Sequence, residues 1–152
     1  MFDALKSFLN DLAGPRPDDE DAMDERLATA ALLVHTIAVD GDVSPGERDQ
    51  LRRALTAAYG LTRAETDHLI DEARRRDQEA VDLYGYTSVL KRTLDHEGRE
   101  RVIEMMWEIV FADGGVHEFE DNIVWRVAEL LGVSSRDRIR LRKRIEGRLA
   151  NS

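Results

Sequence analysis

The sequence predicts an all-α fold in which seven or eight helices pack into a single domain with an internal pseudo-two-fold repeat. Three observations predict it. Apolar residues recur at three- to four-residue spacing through nearly the whole chain. Helix-capping residues and glycine stops separate these runs. The chain has only three prolines and few β-branched residues. At 152 residues it is long enough to bury about two-thirds of its unfolded surface in one core.

Composition excludes several classes of function. The chain has no cysteine, which excludes disulfides, zinc-thiolate sites and thiol catalysis. The net charge of −9 argues against nucleic-acid binding and permits cation binding. No apolar run approaches the roughly 18 residues of a membrane span, and no signal peptide opens the chain. We therefore expect a cytoplasmic protein.

The first 22 residues divide into an amphipathic helix over 1–13 and a linker over 14–22. Gly-Pro-Arg-Pro breaks the helix, and an acidic run follows it at 18–21. The polar side of the helix is not basic, which favours docking on the domain or on a partner over a membrane surface. Its apolar face comprises Phe2, Leu5, Phe8, Leu9 and Leu12.

The helical domain spans 23–150. Its first helix runs from about 23 to 39, and the next begins at Ser44-Pro45-Gly46-Glu47 and stops at Gly60. A capping box of Thr62 and Glu65 opens a third helix that ends near Arg76.

A fourth helix is predicted over 78–95, followed by a break at His96-Glu97-Gly98 and a helix over 99–112. A further helix stops at Gly132, and Ser134 caps the last one. Core positions in this half are predicted to include Val81, Tyr84, Val89, Leu90, Leu94, Trp107, Trp125, Leu141, Ile145 and Leu149.

An acidic loop occurs twice. Asp40-Gly41-Asp42-Val43 leads to Glu47, and Asp113-Gly114-Gly115-Val116 leads to Glu120, 73 positions later. Each repeat half, about 23–76 and 97–149, reads helix, acidic loop, helix, glycine stop, capped helix. We therefore predict that the two loops lie near each other across the pseudo-two-fold.

The loops share part of the calcium-binding EF-hand pattern. Gly41 with Glu47, and Gly114 with Glu120, fit its glycine at position 6 and glutamate at position 12. The first two ligand positions fail, because they fall on Thr36 and Ala38 in one copy and on Ile109 and Phe111 in the other. Neither loop is therefore a complete calcium site by itself. A cation held by two or three carboxylates and water suits Mg²⁺ or Mn²⁺ better than Ca²⁺.

The candidate metal ligands are five acidic residues of the two loops and one histidine: Asp40, Asp42, Glu47, Asp113, His117 and Glu120. An alternative needs no metal. Glu47 can complete a capping box with Ser44, and Asp40 and Asp113 can bond backbone N–H groups as turn aspartates do. No phosphate loop, nucleophile elbow or paired catalytic carboxylate is visible, so we expect no enzymatic activity.

The paired acidic motif and the ending Leu130-Leu131-Gly132-Val133-Ser134 resemble the TerB family, which includes tellurite-resistance-type proteins and a domain of the DjlA co-chaperones. The resemblance implies an all-helical, internally repeated domain whose acidic cluster binds metal ions. It also implies a role in stress responses and membrane-associated complexes. Gly115 stands where the first copy has Asp42, so the second loop has one carboxylate fewer. No His-Pro-Asp tripeptide of a J-domain is present.

Three functions follow as expectations. The first is a non-enzymatic, cation-binding module in a stress or tellurite-resistance-type assembly. The second is a protein-interaction scaffold whose acidic loops only cap helices. The third is a peripheral adaptor at the inner face of the membrane, attached through the first helix and the arginine-rich last helix. For that last helix we favour docking against the acidic remainder of the domain over binding phosphates. Protein partners are expected and nucleic acid is not.

Overall fold

The computed structural model describes residues 24–37, 45–112 and 118–150, and within them it contains seven α-helices and no strand. The predicted all-α class is therefore confirmed. The helices are α1 (Glu25–Ile37), α2 (Pro45–Tyr59), α3 (Arg63–Glu79), α4 (Leu83–Thr93), α5 (His96–Phe111), α6 (Glu118–Leu131) and α7 (Ser135–Ala150).

Helix α1 lies at the centre of these helices and contacts α2, α3, α4, α5 and α6. Ten of its 13 residues are buried, so its apolar surface extends around the helix rather than along one face. The small side chains of Ala28, Ala30 and Ala31 are fully buried and let the neighbouring backbones approach closely.

The predicted glycine stops at Gly60 and Gly132 and the predicted caps at Thr62 and Ser134 are present. Gly60 and Gly132 end α2 and α6 with φ of 62° and 76°, a conformation that glycine adopts without steric cost. The Thr62 side chain accepts a hydrogen bond from the Glu65 N–H, and Glu65 accepts one from the Thr62 N–H. At the start of α7, the Ser134 hydroxyl accepts a hydrogen bond from the Asp137 N–H at 3.1 Å.

The two halves share a pattern of helix contacts. In the first half α1 contacts α2 and α3, and α2 contacts α3. In the second half α5 contacts α6 and α7, and α6 contacts α7. Across the halves α1 contacts α5 and α6, and α2 contacts α5. These contacts are compatible with a pseudo-two-fold, which itself stays a prediction.

The prediction for α4 is wrong in its bounds and in part of its core. Helix α3 continues to Glu79, Ala80 is extended, and the Asp82 side chain caps α4 by accepting from the Gly85 N–H. Val81 and Tyr84 are 55% and 72% exposed, whereas Tyr86 is 2% exposed. Val81 lies in the non-helical connection before α4, and the helix buries Tyr86, Thr87 and Leu90 rather than Tyr84.

Two further predictions are wrong. His96-Glu97-Gly98 is the first turn of α5 rather than a break, because the Asp95 carboxylate accepts a hydrogen bond from the Gly98 N–H at 2.8 Å. Trp125 was predicted in the core, but 46% of its surface is exposed. Trp107, predicted in the core as well, is 1% exposed and is confirmed.

Some predictions fall outside the described residues. They concern the amphipathic helix over 1–13, the linker over 14–22, the apposition of the two acidic loops, and the capping role of Ser44.

The central position of α1 predicts a large effect of truncating its core side chains. We expect Leu32→Ala to lower the free energy of unfolding by about 2–5 kcal/mol, since Leu32 is fully buried and its neighbours cannot all collapse into the cavity. Val81→Ala, at an exposed position, is the control and should change it by less than about 0.5 kcal/mol. Urea denaturation measures both, and equal effects would contradict this description of the core.

Candidate functional site

The acidic loops connect helices that are themselves well defined. The first loop lies between the end of α1 at Ile37 and the start of α2 at Pro45, and the second between Phe111 and Glu118. Of the six candidate ligands, Glu47 and Glu120 are described, and both are partly buried in the first turn of the helix after their loop. Asp40, Asp42, Asp113 and His117 lie outside the described residues.

The described residues that fall on the early EF-hand ligand positions pack in or against the core of the domain. Thr36 is fully buried, and its hydroxyl donates a hydrogen bond to the Leu32 carbonyl at 2.7 Å. In the second copy Ile109 is 1% exposed, and Phe111 packs against Trp107 with ring centroids 6.0 Å apart. Thr36 is buried and already hydrogen-bonded, and Ile109 and Phe111 have no oxygen atom in their side chains. None of the three is therefore available as an oxygen ligand for a cation.

Arg142 of α7 joins three helices near the end of α5. Its guanidinium carbon lies 5.3 Å from the Trp107 ring centroid and 5.9 Å from that of Phe111, both on α5. The same guanidinium donates to Asp121 of α6 at 3.3 Å and to Glu146 at 2.8 Å. This combination of cation–π and ionic contacts fixes α5, α6 and α7 relative to one another at the end of α5 that leads into the loop.

The described residues contain one cluster with the composition of a metal site, which sequence reasoning missed. Ligand atoms of His96, Glu100 and Asp137 all lie within 4.8 Å of one another. However, Arg140 donates to Glu100 at 2.5 Å and to Asp137 at 3.4 Å. Because this guanidinium already balances both carboxylates, a cation would have to displace it. The cluster is therefore better described as an ion-pair network between α5 and α7.

Arg140 is the first of three arginines on α7 that pair with glutamates on α5. Its pair with Glu100 is followed at four-residue spacing by Arg144 with Glu104 at 2.7 Å and by Arg148 with Glu108 at 3.3 Å. We call these three pairs the α5–α7 ladder. Burial raises the pKa of the Glu108 carboxyl despite the nearby Arg148 charge. The ladder is what the docked-helix interpretation of the arginine-rich last helix predicted.

A second polar network joins α1, α3 and α4. His35 Nδ1 lies 3.0 Å from an Asp77 carboxylate oxygen, and the Tyr86 hydroxyl donates to the other oxygen at 3.4 Å. Burial, followed by the negative charge of Asp77, raises the pKa of Tyr86 to about 12. His35 and Asp77 are 42 residues apart, so no local pattern in the sequence indicates their contact.

Fold and site together define a small all-α domain with a buried central helix and two acidic interhelical loops. A family model described as "Tellurite resistance protein TerB" matches residues 26–143, which is most of the chain. The chain therefore belongs to the TerB family. No curated protein and no solved structure gives a significant match. Among the described helices, none is both long and apolar enough to cross a membrane.

The raised pKa of Tyr86 predicts how stability depends on pH. A tyrosine whose folded pKa exceeds its unfolded value of about 10 contributes stability that is complete below about pH 10 and is lost as the pH rises toward about 12. Between about pH 9 and about pH 11.5, the free energy of unfolding measured by urea denaturation should therefore fall more in wild type than in Tyr86→Phe. Equal losses in the two proteins would show that the Tyr86 hydroxyl does not carry this dependence.

The ladder predicts a measurable but modest coupling between its partners. In a double-mutant cycle, Arg144→Ala and Glu104→Ala should couple by about 0.2–1 kcal/mol, because Arg144 is half exposed and water screens the pair. The coupling should decrease in high salt. Lys143→Ala with Glu104→Ala is the control cycle and should be additive. A coupling no larger than that of the control would contradict a stabilising ladder.

Proposed function

We propose that this TerB-family chain is a non-enzymatic module that binds a divalent cation through its two acidic loops and acts through protein partners in a stress or tellurite-resistance-type assembly. The observation that carries the proposal is the TerB match over residues 26–143, which spans both copies of the acidic motif. The proposed setting is the cytoplasm, with attachment at the inner face of the membrane as the alternative.

The donor chemistry of the loops supports a hard cation. Carboxylates supply five of the six proposed ligands, and oxygen ligands are preferred by Mg²⁺, Mn²⁺ and Ca²⁺. Glu47 and Glu120 occupy corresponding places, in the first turn of α2 and of α6. The ligands Asp40, Asp42, Asp113 and His117 would complete the set, while the buried Thr36 and Ile109 would not contribute to it.

A site shared between the loops fits this donor set better than two separate sites. Each loop alone lacks the early ligands of an EF-hand, and the second also lacks the counterpart of Asp42. The helices that flank the loops contact one another, since α1 contacts α5 and α6, and α2 contacts α5. These contacts support a proposal in which one cation draws carboxylates from both loops.

Cation binding at such a site would act on the packing around α1. The first loop follows directly after the most buried helix, and the second follows α5, which contacts α1. A cation would relieve repulsion among the pooled carboxylates and would stabilise the folded state by an amount that grows with the logarithm of its free concentration above Kd. Partners could then distinguish the cation-bound domain from the free one by its stability and loop geometry.

The test is a thermal-unfolding titration with Mg²⁺, Mn²⁺ and Ca²⁺. We expect the melting temperature of wild type to rise with at least one of these ions, by an amount equivalent to about 2.7 kcal/mol at a hundredfold excess over Kd. The double variant Asp40→Ala with Asp113→Ala should lose this response, because it removes one carboxylate from each loop.

The matched control is Glu97→Ala with Glu129→Ala, which removes the same net charge at exposed positions outside the loops. It should keep the wild-type response to the cation. If the loop variant responds as wild type does, the site assignment is wrong. If no ion shifts the melting temperature of wild type, the scaffold function, in which the loops only cap helices, replaces the cation-binding one.

A further inference from the structure

An exposed apolar pair lies on the hairpin of α6 and α7. Trp125 is 46% exposed and Ile139 is 44% exposed. The ion pair between Asp121 and Arg142 sets the register of the two helices. Trp125 follows Asp121 by four residues and Ile139 precedes Arg142 by three, so both lie one turn nearer the Gly132 corner on the face of that ion pair.

The hairpin of α2 and α3 has charged residues in the corresponding places. There Arg48 pairs with Asp71 at 3.2 Å, and one turn nearer the Gly60 corner Arg52 pairs with Asp67 at 2.6 Å. This position therefore holds an ion pair in the α2–α3 hairpin, whereas in the α6–α7 hairpin it holds an exposed tryptophan and an exposed isoleucine. Packing of a helical hairpin therefore does not require an apolar pair at this position, and the packing of the hairpin itself does not account for the exposed Trp125 and Ile139.

Cationic residues border the apolar pair. Arg136 and Lys143 lie three residues before and four residues after Ile139, and both are exposed. Neither forms an ion pair with another described residue, unlike the arginines of the α5–α7 ladder. Arg126 adds a third exposed cation beside Trp125, and Glu129 is an opposing charge on α6. We call Trp125, Ile139, Arg136 and Lys143 the α6–α7 patch.

The occupant that suits this patch is an acidic segment with a continuous apolar face. Residues 1–23 have that chemistry, since they contain six carboxylates against Lys6 and Arg16. Their apolar residues recur at helical spacing, and the four consecutive acidic residues 18–21 follow them. We propose that residues 1–23 dock on the α6–α7 patch of the same chain, with their apolar face on Trp125 and Ile139 and the acidic run toward Arg136 and Lys143.

The length of the segment permits this docking. The ten residues 14–23 connect the apolar stretch to α1 and span up to about 33 Å when extended. A domain of this size has a radius of gyration of about 14 Å, which corresponds to a diameter of about 36 Å, so the extended connection is nearly as long as the domain is wide. Docking within one chain is also favoured by the high effective concentration that a short tether gives. The proposal does not depend on cation binding.

Disulfide trapping in the full chain tests the proposal, because the natural sequence has no cysteine. Ala13→Cys is combined with Asn122→Cys or with Ser135→Cys, exposed positions three residues before Trp125 and four before Ile139. The control pair is Ala13→Cys with Gln78→Cys, an exposed position on α3. Under mild oxidation, at least one patch pair should form an intramolecular disulfide about tenfold faster than the control pair does.

Two further variants show whether the patch itself directs the trapping. Trp125→Ala with Ile139→Ala should slow it, and Arg136→Glu with Lys143→Glu should slow it most at low salt. Arg53→Glu with Arg92→Glu reverses two exposed charges outside the patch and should leave the rate unchanged. Far-UV circular dichroism of each reduced variant establishes that it is folded.

Three outcomes would overturn the proposal. Equal trapping rates in the patch and control pairs would show that the segment does not select this face. Disulfide-linked dimers in place of monomers would identify a second copy as the occupant. Binding to phosphatidylglycerol vesicles that requires Trp125, without intramolecular trapping, would assign the patch to a membrane surface.

Discussion

The burial of α1 on nearly all sides is the constraint on which the other helices depend. Ten of its 13 residues are buried, and it contacts five of the six other helices described. Buried alanines on α1 let the neighbouring helices approach it closely. A shift of one of these helices is therefore transmitted to the others through a densely packed centre. In the sequence, this helix is followed directly by the first acidic loop. The His35–Asp77–Tyr86 network ties α1 to α3 and α4 near the same end of the helix.

Ion pairs hold the outer helices α5, α6 and α7 together. The chain carries a net charge of −9, yet its last helix is strongly basic. The α5–α7 ladder resolves this contrast, because three of the arginines on α7 meet glutamates on α5. Arg142 adds the ionic and aromatic contacts that join α5, α6 and α7. Arg136 and Lys143 have no ion partners among the described residues, and they flank the exposed Ile139.

The sequence was sufficient for the helix order, the glycine stops and most of the core, because these depend on local spacing and backbone chemistry. It was insufficient at the starts of α4 and α5, which Asp82 and Asp95 cap, and in α4 the core residue is Tyr86 rather than the predicted Tyr84. Trp125 was misassigned because an aromatic residue at helical spacing is usually buried. The contacts of His35 with Asp77 and of Arg142 with Trp107 depend on tertiary structure, and no local pattern could predict them. Of the candidate site, the failure of the early ligand positions was predictable, since Ile109 and Phe111 are plainly apolar.

A calorimetric titration of the full chain with Mg²⁺, Mn²⁺ or Ca²⁺ tests the central claim most directly, because it counts the ions bound. A cation shared between the two acidic loops predicts saturable binding of a single ion per chain, lost in Asp40→Ala and equally in Asp113→Ala. Two ions per chain, each lost with only one of these substitutions, would contradict the shared site. Absence of saturable binding of any of the three ions would contradict cation binding by the loops altogether.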